Sequence, residues 1–540
     1  MTSTYAVREL ILATTFAMLA IPTAAQHDHS SESGSSGGDL PESFSEPIPL
    51  YPNALGDHTH LVSSVNAETR AYFNQGFQLM YAFAKEDATR SFREAWKRDP
   101  DCAICYWGEA WSWGSYLNGP MRPFEAPHAY AAIEKAVARI GHANAKEKAY
   151  IEAMRPRYVE EFDPEKRRDQ DEAYADATRL LAEAYPDDLD AVTLYADALF
   201  LLEPRRGTRD LNDPNVQRLH GVLESVLARN IKHPGACHLY IHATESTSDP
   251  GKASACAEYL GNEIPGASHI NHMPSHTWNE IGRWGDGVRS NLQAWHSDLK
   301  AESGKGFAIY PSHNLHMLLF AAAMDGQGAI AIQAGKDYAK TTDDTVFHVL
   351  TLLRFGRFDE ILDVTARPEQ EASGGLWDFA QGYAHLKNGD ADFAQVYLDR
   401  VVELAETTTA RFRFDEAKLL LRTVGGVLEG EIHRDAGDLT AAIRAFERAV
   451  EVEDQLEYSE PEPLPFSARH WLGAALLEVE RYADAERVYR EELEDHPHNG
   501  WSLFGLKAAL SGQGQSSPDV DADFTQSWVR SDVWITASVF

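Results

Sequence analysis

A recurring pair of small residues, twelve positions apart, is the sequence feature that most restricts how this chain can fold. The first pair is Gly76 and Ala88, and an aromatic side chain, Phe92, follows the alanine by about one helical turn. Small residues at this interval allow two antiparallel helices to cross closely, while the following side chain fills the groove between them. The arrangement returns near the C-terminus in three further pairs: Gly382 with Ala394, Gly430 with Ala442, and Gly473 with Ala485. The chain is therefore expected to contain repeated helix pairs.

Helical periodicity dominates the sequence, and no convincing run of alternating strand residues occurs. The 25 prolines and 37 glycines fall largely between the helical segments. Residues 68–100 fit one complete helix pair, residues 102–114 begin the next, and residues 191–202 form another strong helix. Stacked helix pairs of this kind predict an all-α solenoid over residues 49–510, with a histidine-rich middle at 231–340.

Histidine is concentrated in three short segments of this middle region. They read CHLYIHATE (Cys237–Glu245), HINHMPSHTW (His269–Trp278) and HNLHM (His313–Met317). Within each segment the histidines are three, four or seven residues apart, so they share one face of a helix. The steps from His238 to His272 and from His242 to His276 are both 34 residues. The same face of successive helices is therefore expected to carry imidazole.

The helix pairs and the 34-residue step resemble the tetratricopeptide-repeat (TPR) superfamily. The motifs HPGACHLYIHATE, HMPSHTW and HNLHM are also similar to those of a group of exported bacterial TPR proteins, over roughly residues 55–338. The TPR resemblance implies that the histidine-bearing helix is the first of each pair and lines a concave groove. On that register the groove holds seven histidines: His238, His242, His269, His272, His276, His313 and His316.

Seven imidazoles on one concave face indicate a transition-metal site. Neutral imidazole is the commonest metal ligand among side chains. Three histidines completed by a carboxylate or water suit Zn²⁺, Cu²⁺ or Fe²⁺. Glu245 is a candidate ligand, or a general base acting on a bound water. Asn279 and Asn314 are candidates for orienting the ligand rings through hydrogen bonds.

The alternative interpretation is a TPR interaction module that binds a peptide, protein or anionic ligand in the groove. The histidines would then be hydrogen-bonding or pH-responsive contacts without metal. Trp107 and Trp111 are also predicted to face the groove as an aromatic wall, with core packing as the alternative. Six histidines without partners at helical spacing are interpreted as surface or core residues: His220, His233, His296, His348, His385 and His433.

Motifs of common enzyme classes are missing from the sequence. It contains no P-loop, no GxGxxG after a strand, no GxSxG elbow and no HExxH. The sequence therefore leaves open whether the chain is an enzyme. The formal charge of −34 argues against a nucleic-acid partner and is compatible with attracting cations.

The two termini carry features of their own. Arg8 precedes an apolar run that is too short to span a bilayer, so residues 1–25 are predicted to be a signal peptide. Residues 26–48 are predicted to be a disordered polar leader, and residues 511–540 a linker with a capping helix near Phe524–Ile535. No later segment approaches a membrane-spanning length. The protein is therefore expected to be exported, either periplasmic or secreted.

Four cysteines in an exported chain favour disulfide bonds. Cys237 and Cys256 fall on consecutive predicted helices at similar heights, where a cross-link is geometrically reasonable. Cys102 and Cys105 form a CxxC at a predicted helix start. A redox pair or metal ligands are the rival reading of that motif, but no βαβ pattern surrounds it, so a disulfide or buried thiols are favoured.

Overall fold

The computed structural model describes residues 42–204 and 207–539. The predicted signal peptide and most of the predicted leader lie outside the described residues. The described chain is an all-α, TPR-like solenoid, as the sequence predicts. Its first thirteen helices are α1 Ala67–Tyr81, α2 Lys85–Arg98, α3 Ala103–Trp113, α4 Ala126–Ala138, α5 Ala145–Met154, α6 Arg167–Ala184, α7 Leu189–Phe200, α8 Pro214–Leu227, α9 Pro234–Thr244, α10 Ser254–Leu260, α11 Ser268–His272, α12 Pro274–Glu280 and α13 Trp284–Ala301.

The second half continues the solenoid and adds a very short hairpin, β1 Arg411–Phe412 and β2 Asp415–Glu416, which the sequence analysis does not predict. Arg413, at φ 55°, lies in the turn between these strands. The remaining helices are α14 Pro311–Met324, α15 Gly328–Thr342, α16 Val346–Arg354, α17 Phe358–Asp363, α18 Glu371–Lys387, α19 Ala391–Thr407, α20 Ala417–Asp435, α21 Leu439–Glu453, α22 Arg469–Glu478, α23 Tyr482–Asp495, α24 Gly500–Gly512 and α25 Pro518–Ser527.

The helix pairs cross where the small residues predict. A Cβ atom added at Gly76 on α1 would lie 2.9 Å from the Phe92 ring of α2. The same addition at Gly430 would meet Phe446 of α21, and at Gly473 it would meet Tyr489 of α23. Each of these glycines therefore admits an aromatic ring from its partner helix, and a larger residue would force the two helices apart.

The described residues differ from the predicted boundaries at both ends. Phe44 and Ile48, placed by the prediction in a disordered leader, are buried, and the Phe44 ring stacks on Trp113 at 5.0 Å. At the other end, the helix near the C-terminus is Pro518–Ser527 rather than Phe524–Ile535. A proline can start a helix without losing a hydrogen bond, and Pro518 stands at such a start.

The C-terminal repeats fold back onto the middle of the solenoid. The Trp284 indole of α13 donates to the Pro497 carbonyl at 2.9 Å, and the Trp501 indole of α24 donates to the Ala323 carbonyl at 2.9 Å. Beyond α25, Arg530 pairs with Asp325 at 2.6 Å. These contacts join residues about 200 positions apart.

The hydrophobic core forms two large parts that meet in the histidine-rich middle. One part extends from Phe44 to Tyr310 and the other from Val288 to Val539. Helices α9, α11, α12 and α14, which carry the seven histidines, lie at this junction. Across the described residues, no helix combines the length and apolar character that crossing a membrane requires.

Candidate metal centre

Six of the seven predicted histidines come together at the junction of the two cores. His238 and His242 lie on α9, His269 and His272 on α11, His276 on α12 and His313 on α14. Pro274 begins α12 and separates it from α11, so the second histidine segment is two short helices instead of one. Five of the six residues are at most 3% exposed, and His313 is half-buried.

The first group of three contains His238, His242 and His269, with one ring nitrogen from each lying within 4.8 Å of the others. The Nδ1 of His238 lies 2.6 Å from the Tyr81 carbonyl oxygen, so it must carry the proton and donate it. The Nε2 of His238 then presents a lone pair, and it lies 3.1 Å from the Nε2 of His269. The buried Nε2 of His242 has no hydrogen-bond partner.

The second group of three contains His272, His276 and His313, again within 4.8 Å. The side-chain amide nitrogen of Asn291 donates to the Gly287 carbonyl at 2.9 Å. This bond turns the side-chain oxygen of Asn291 towards His272. The Nδ1 of His272 donates to that oxygen at 3.1 Å, so its Nε2 presents a lone pair. This Nε2 lies 2.8 Å from the Nε2 of His276, and the His313 ring is centred 4.7 Å from the His272 ring.

Glu245 connects the two groups from outside. One carboxylate oxygen accepts from the Nδ1 of His242 at 2.9 Å, and the other makes an ion-pair contact of 2.6 Å with the Nδ1 of His276. Glu460, from the C-terminal half, lies 3.6 Å from the same His276 nitrogen. Glu245 therefore lies between His242 and His276, where it can orient their rings, and it also forms a group of four possible metal ligands with His242, His276 and Glu460, as the predicted ligand role requires.

The surroundings hold most of these rings in the neutral form. Burial lowers the pKa of His238, His269 and His272 well below the usual value, and it lowers the pKa of His242 to about 3. Neighbouring imidazoles act in the same direction. Burial also opposes the charge on His276, but the carboxylates of Glu245 and Glu460 raise its pKa to about 10.

His316 does not join either group. Its Nδ1 faces the Arg413 guanidinium at 2.7 Å, and its ring is centred 3.9 Å from the Phe347 ring. The helical spacing of three residues from His313 is correct, but the hairpin that carries Arg413 reaches across the groove to the His316 ring. A contact between residues 97 positions apart cannot be read from helical spacing.

The predicted supporting residues also lie elsewhere. Asn279 directs its amide nitrogen to the Met317 sulfur at 4.0 Å, and Asn314 donates to Asp298 at 2.9 Å, so neither orients a histidine. Asn291, on the second helix of its pair, takes that role. Trp107 and Trp111 are 1% and 3% exposed and pack around Phe77 in the core instead of lining the groove.

A cavity of about 220 Å³ opens beside the histidines. Its lining includes His242, His269, His276, His313 and Glu245. It also includes Arg209, Arg411 and Arg413 together with the aromatic rings of Tyr338, Phe412 and Phe414. The cavity therefore joins a cluster of imidazoles to a wall of guanidinium groups and rings.

Both cysteine pairs are disulfide-bonded in the structure. Cys102–Cys105 lies at the start of α3, and Cys237–Cys256 ties α9 to α10. The second bridge holds the helix that carries His238 and His242 against its partner helix.

A second histidine cluster, which the sequence analysis missed, surrounds Asp190 of α7. His58 and His233 contact one oxygen of this buried carboxylate at 3.0 and 3.2 Å, and His60 contacts the other at 2.7 Å. The Tyr81 hydroxyl also donates to it, at 2.7 Å. His58 and Asp190 are 132 positions apart, and helical spacing carries no signal of such a meeting.

The two clusters differ in how their lone pairs are used. The backbone N–H of Ala236 donates to the Nδ1 of His233 at 3.1 Å, so the proton of this ring is on Nε2 and is donated to Asp190. Burial raises the pKa of Asp190, but the hydrogen bonds from His233, His58 and His60 outweigh it and hold the pKa well below the usual value. We call this group the Asp190 hub.

Comparison with known proteins adds little to this description. No protein-family model and no curated protein matches the sequence. Similar solved structures include the TPR domain of P58(IPK), with 13% identity over 84% of this chain and 100% of that one, and a TM-score of 0.20. The human IFIT1 dimer with m7Gppp-AAAA has 10% identity over 86% of this chain and 90% of that one, with a TM-score of 0.29.

The APC/C hetero-tetramer Cut9–Hcn1 has 13% identity over 87% of this chain and 78% of that one, with a TM-score of 0.28. The description of the protein as a TPR-like α-solenoid therefore depends on its own helix pairs and on the small residues at their crossings.

Proposed function

We propose that this protein is a TPR-like solenoid that binds a transition metal in its histidine cluster. The observation that carries the proposal is the orientation of the rings. His238, His242, His272 and His276 each place Nδ1 against a carbonyl, amide or carboxylate oxygen, and Nε2 towards other imidazoles. Metal-binding histidines almost always show this pattern, because the bond at one nitrogen fixes the lone pair of the other.

A structural role for the cluster is less consistent with its contacts. The Nε2 lone pairs of His238 and His272 point at neighbouring imidazoles, 3.1 Å from the Nε2 of His269 and 2.8 Å from the Nε2 of His276, and the buried Nε2 of His242 has no hydrogen-bond partner among the described residues. Unpaired buried acceptors are unfavourable by about 1–3 kcal/mol each. A cation bound between them removes that penalty. Zn²⁺, Cu²⁺ and Fe²⁺ are the ions that imidazole suits.

A small anionic ligand is the second candidate function. Arg209, Arg411 and Arg413 all line the cavity, and its volume of about 220 Å³ holds a small molecule rather than a long peptide. Arginine pairs well with carboxylate and phosphate groups. In this alternative the histidines are hydrogen-bonding wall residues and metal plays no part.

We also propose that the protein acts outside the cytoplasm. The two disulfide bonds support this, since such bonds persist in oxidising compartments. The N-terminal sequence of protein recovered from an extracytoplasmic fraction tests it, with Gln26 as the expected first residue. Recovery from the cytoplasm with Met1 intact would contradict the proposal.

Elemental analysis of the full chain, purified without a histidine tag, tests metal binding. We expect at least one equivalent of Zn, Cu or Fe, and loss of metal in a His272→Ala/His276→Ala variant. The matched control is His385→Ala/His433→Ala, which removes two partly exposed histidines far from the cluster. Protein that contains no metal and takes up none of the three ions would contradict the proposal, and stabilisation by small carboxylates would then favour the anionic ligand.

A further inference from the structure

The six clustered histidines divide into two complete sets of three, His238/His242/His269 and His272/His276/His313. Each set brings one ring nitrogen per residue within 4.8 Å, and the sets share no residue. Three histidines are a full protein ligand set for a catalytic zinc ion, which keeps its fourth position for water or substrate. One ion accounts for one set and leaves the other unexplained.

The two sets are immediate neighbours in space. The His242 and His276 rings, one from each set, are centred 5.3 Å apart, and so are the His269 and His272 rings. Glu245 holds the Nδ1 of His242 from the first set and contacts that of His276 from the second. A single carboxylate therefore orients one ligand of each set.

From this geometry we infer that the cluster is a two-ion centre, in which each set of three histidines binds one transition-metal ion. The inference rests on the proposed metal-binding function. Since neither set contains a carboxylate, the ligands differ from the two histidines and one carboxylate that are typical of non-haem iron. Purely imidazole ligands suit copper and zinc, and copper binds most tightly of the divalent first-row ions.

One other arrangement of ligands competes with the two-ion centre. His242, Glu245, His276 and Glu460 also bring ligand atoms within 4.8 Å, which would suit a single ion held by two imidazoles and two carboxylates. In that arrangement Glu245 is a ligand, and neither His238 nor His269 binds the ion. The number of bound ions per chain, and the effect of replacing Glu245 on that number, therefore distinguish the two-ion centre from the single-ion arrangement.

The number of ions is measured by titrating the metal-free full chain with Zn²⁺ and counting bound zinc after gel filtration. We expect two ions in the wild type and about one in each of two variants, His238→Ala/His269→Ala and His272→Ala/His313→Ala. The His385→Ala/His433→Ala control keeps two. One ion in the wild type, abolished by Glu245→Gln, would overturn the two-ion centre but leave the proposed function intact, whereas no bound ion would overturn both.

A second measurement needs no variant and so does not depend on their folding. The wild-type chain is loaded with Cu²⁺ to its endpoint, and the paramagnetic signal is compared with the copper content. Neighbouring ions couple magnetically, so we expect the integrated signal to fall well below the copper present and to approach it only at low loading. Full, uncoupled signal from two bound copper ions would place them apart and overturn the inference.

Discussion

Two buried histidine clusters lie on either side of Tyr81. Imidazole side chains make opposite kinds of contact in the two clusters. The Tyr81 hydroxyl donates to Asp190 of the hub, while its backbone carbonyl accepts from His238 of the candidate metal centre. In the hub, three imidazoles surround a carboxylate that accepts hydrogen bonds from them. In the centre, the oxygen acceptors lie outside the cluster, and the Nε2 lone pairs of His238 and His272 point inwards at the nitrogens of other imidazoles.

The difference shows that a cluster of histidines does not by itself indicate a metal. What separates the two is the position of the anion. A carboxylate at the middle accepts from its imidazole neighbours, as Asp190 does from His233, whose other nitrogen accepts from the backbone N–H of Ala236. A carboxylate on the outside, as Glu245 is placed, fixes the protons there and frees the inner nitrogens.

The largest expected effect comes from removing the charge at the middle of the hub. Asp190→Asn leaves buried imidazoles without their carboxylate, and breaking a buried pair in this way costs about 3–5 kcal/mol. We expect the free energy of unfolding, measured with urea, to fall by that amount, while the metal content of the folded chain is unchanged.

Asp188→Asn is the matched control for this change. Asp188 begins α7 as its N-cap, a position where asparagine serves as well as aspartate, and it pairs with the partly exposed Lys146 at 2.8 Å, so we expect a loss of about 1 kcal/mol. If Asp190→Asn instead released the metal and left stability unchanged, the hub would be a metal site and the contrast between the clusters would be wrong.

A smaller effect is expected from the residue that orients His272. Asn291→Leu removes the amide oxygen that accepts from Nδ1, and loss of such a partner typically weakens metal binding by about 10- to 100-fold. Competition with a chelating dye measures the change. Asn279→Leu is the control, since this buried amide faces Met317 and no histidine. Equal weakening in both variants would mean that disturbed packing, and not ring orientation, changes the affinity.

The smallest expected effect is a loss of folding stability as the pH is lowered. Because the folded pKa of Asp190 is lowered, its contribution to stability is complete above the unfolded pKa of about 3.9 and is lost as the pH falls towards the folded value. We expect a loss of about 1 kcal/mol between pH 5 and pH 3. Urea unfolding of the metal-free chain measures this loss. The Asp190→Asn variant should not show the loss that comes from Asp190. Identical pH dependence in both proteins would show that Asp190 is not held ionised by the hub.

The repeats and the histidine-bearing faces could be predicted because both follow from local spacing. Gly76 and Ala88 are twelve residues apart on one helix pair, and the 34-residue step from His238 to His272 follows from the repeat length. These regularities depend only on helical geometry and on the stacking of similar units. They identify the fold and six of the residues in the candidate centre.

The remainder depends on contacts between distant parts of the chain. Glu460 reaches His276 from the C-terminal half, and Arg413 reaches His316 from a hairpin that the periodicity does not predict. The C-terminal half also supplies Tyr458 and Glu460 to the lining of the cavity beside the histidines. The hub was missed for the same reason, since His58 and Asp190 meet across 132 positions.

Anomalous diffraction from crystals of the full chain loaded with Zn²⁺ tests the central claim most directly. Data collected on either side of the zinc absorption edge locate the ions without reference to their ligands. The account predicts anomalous peaks among the inward-facing Nε2 atoms of His238, His269, His272 and His276, and none at Asp190. A peak at Asp190, or no peak among the six histidines, would contradict it.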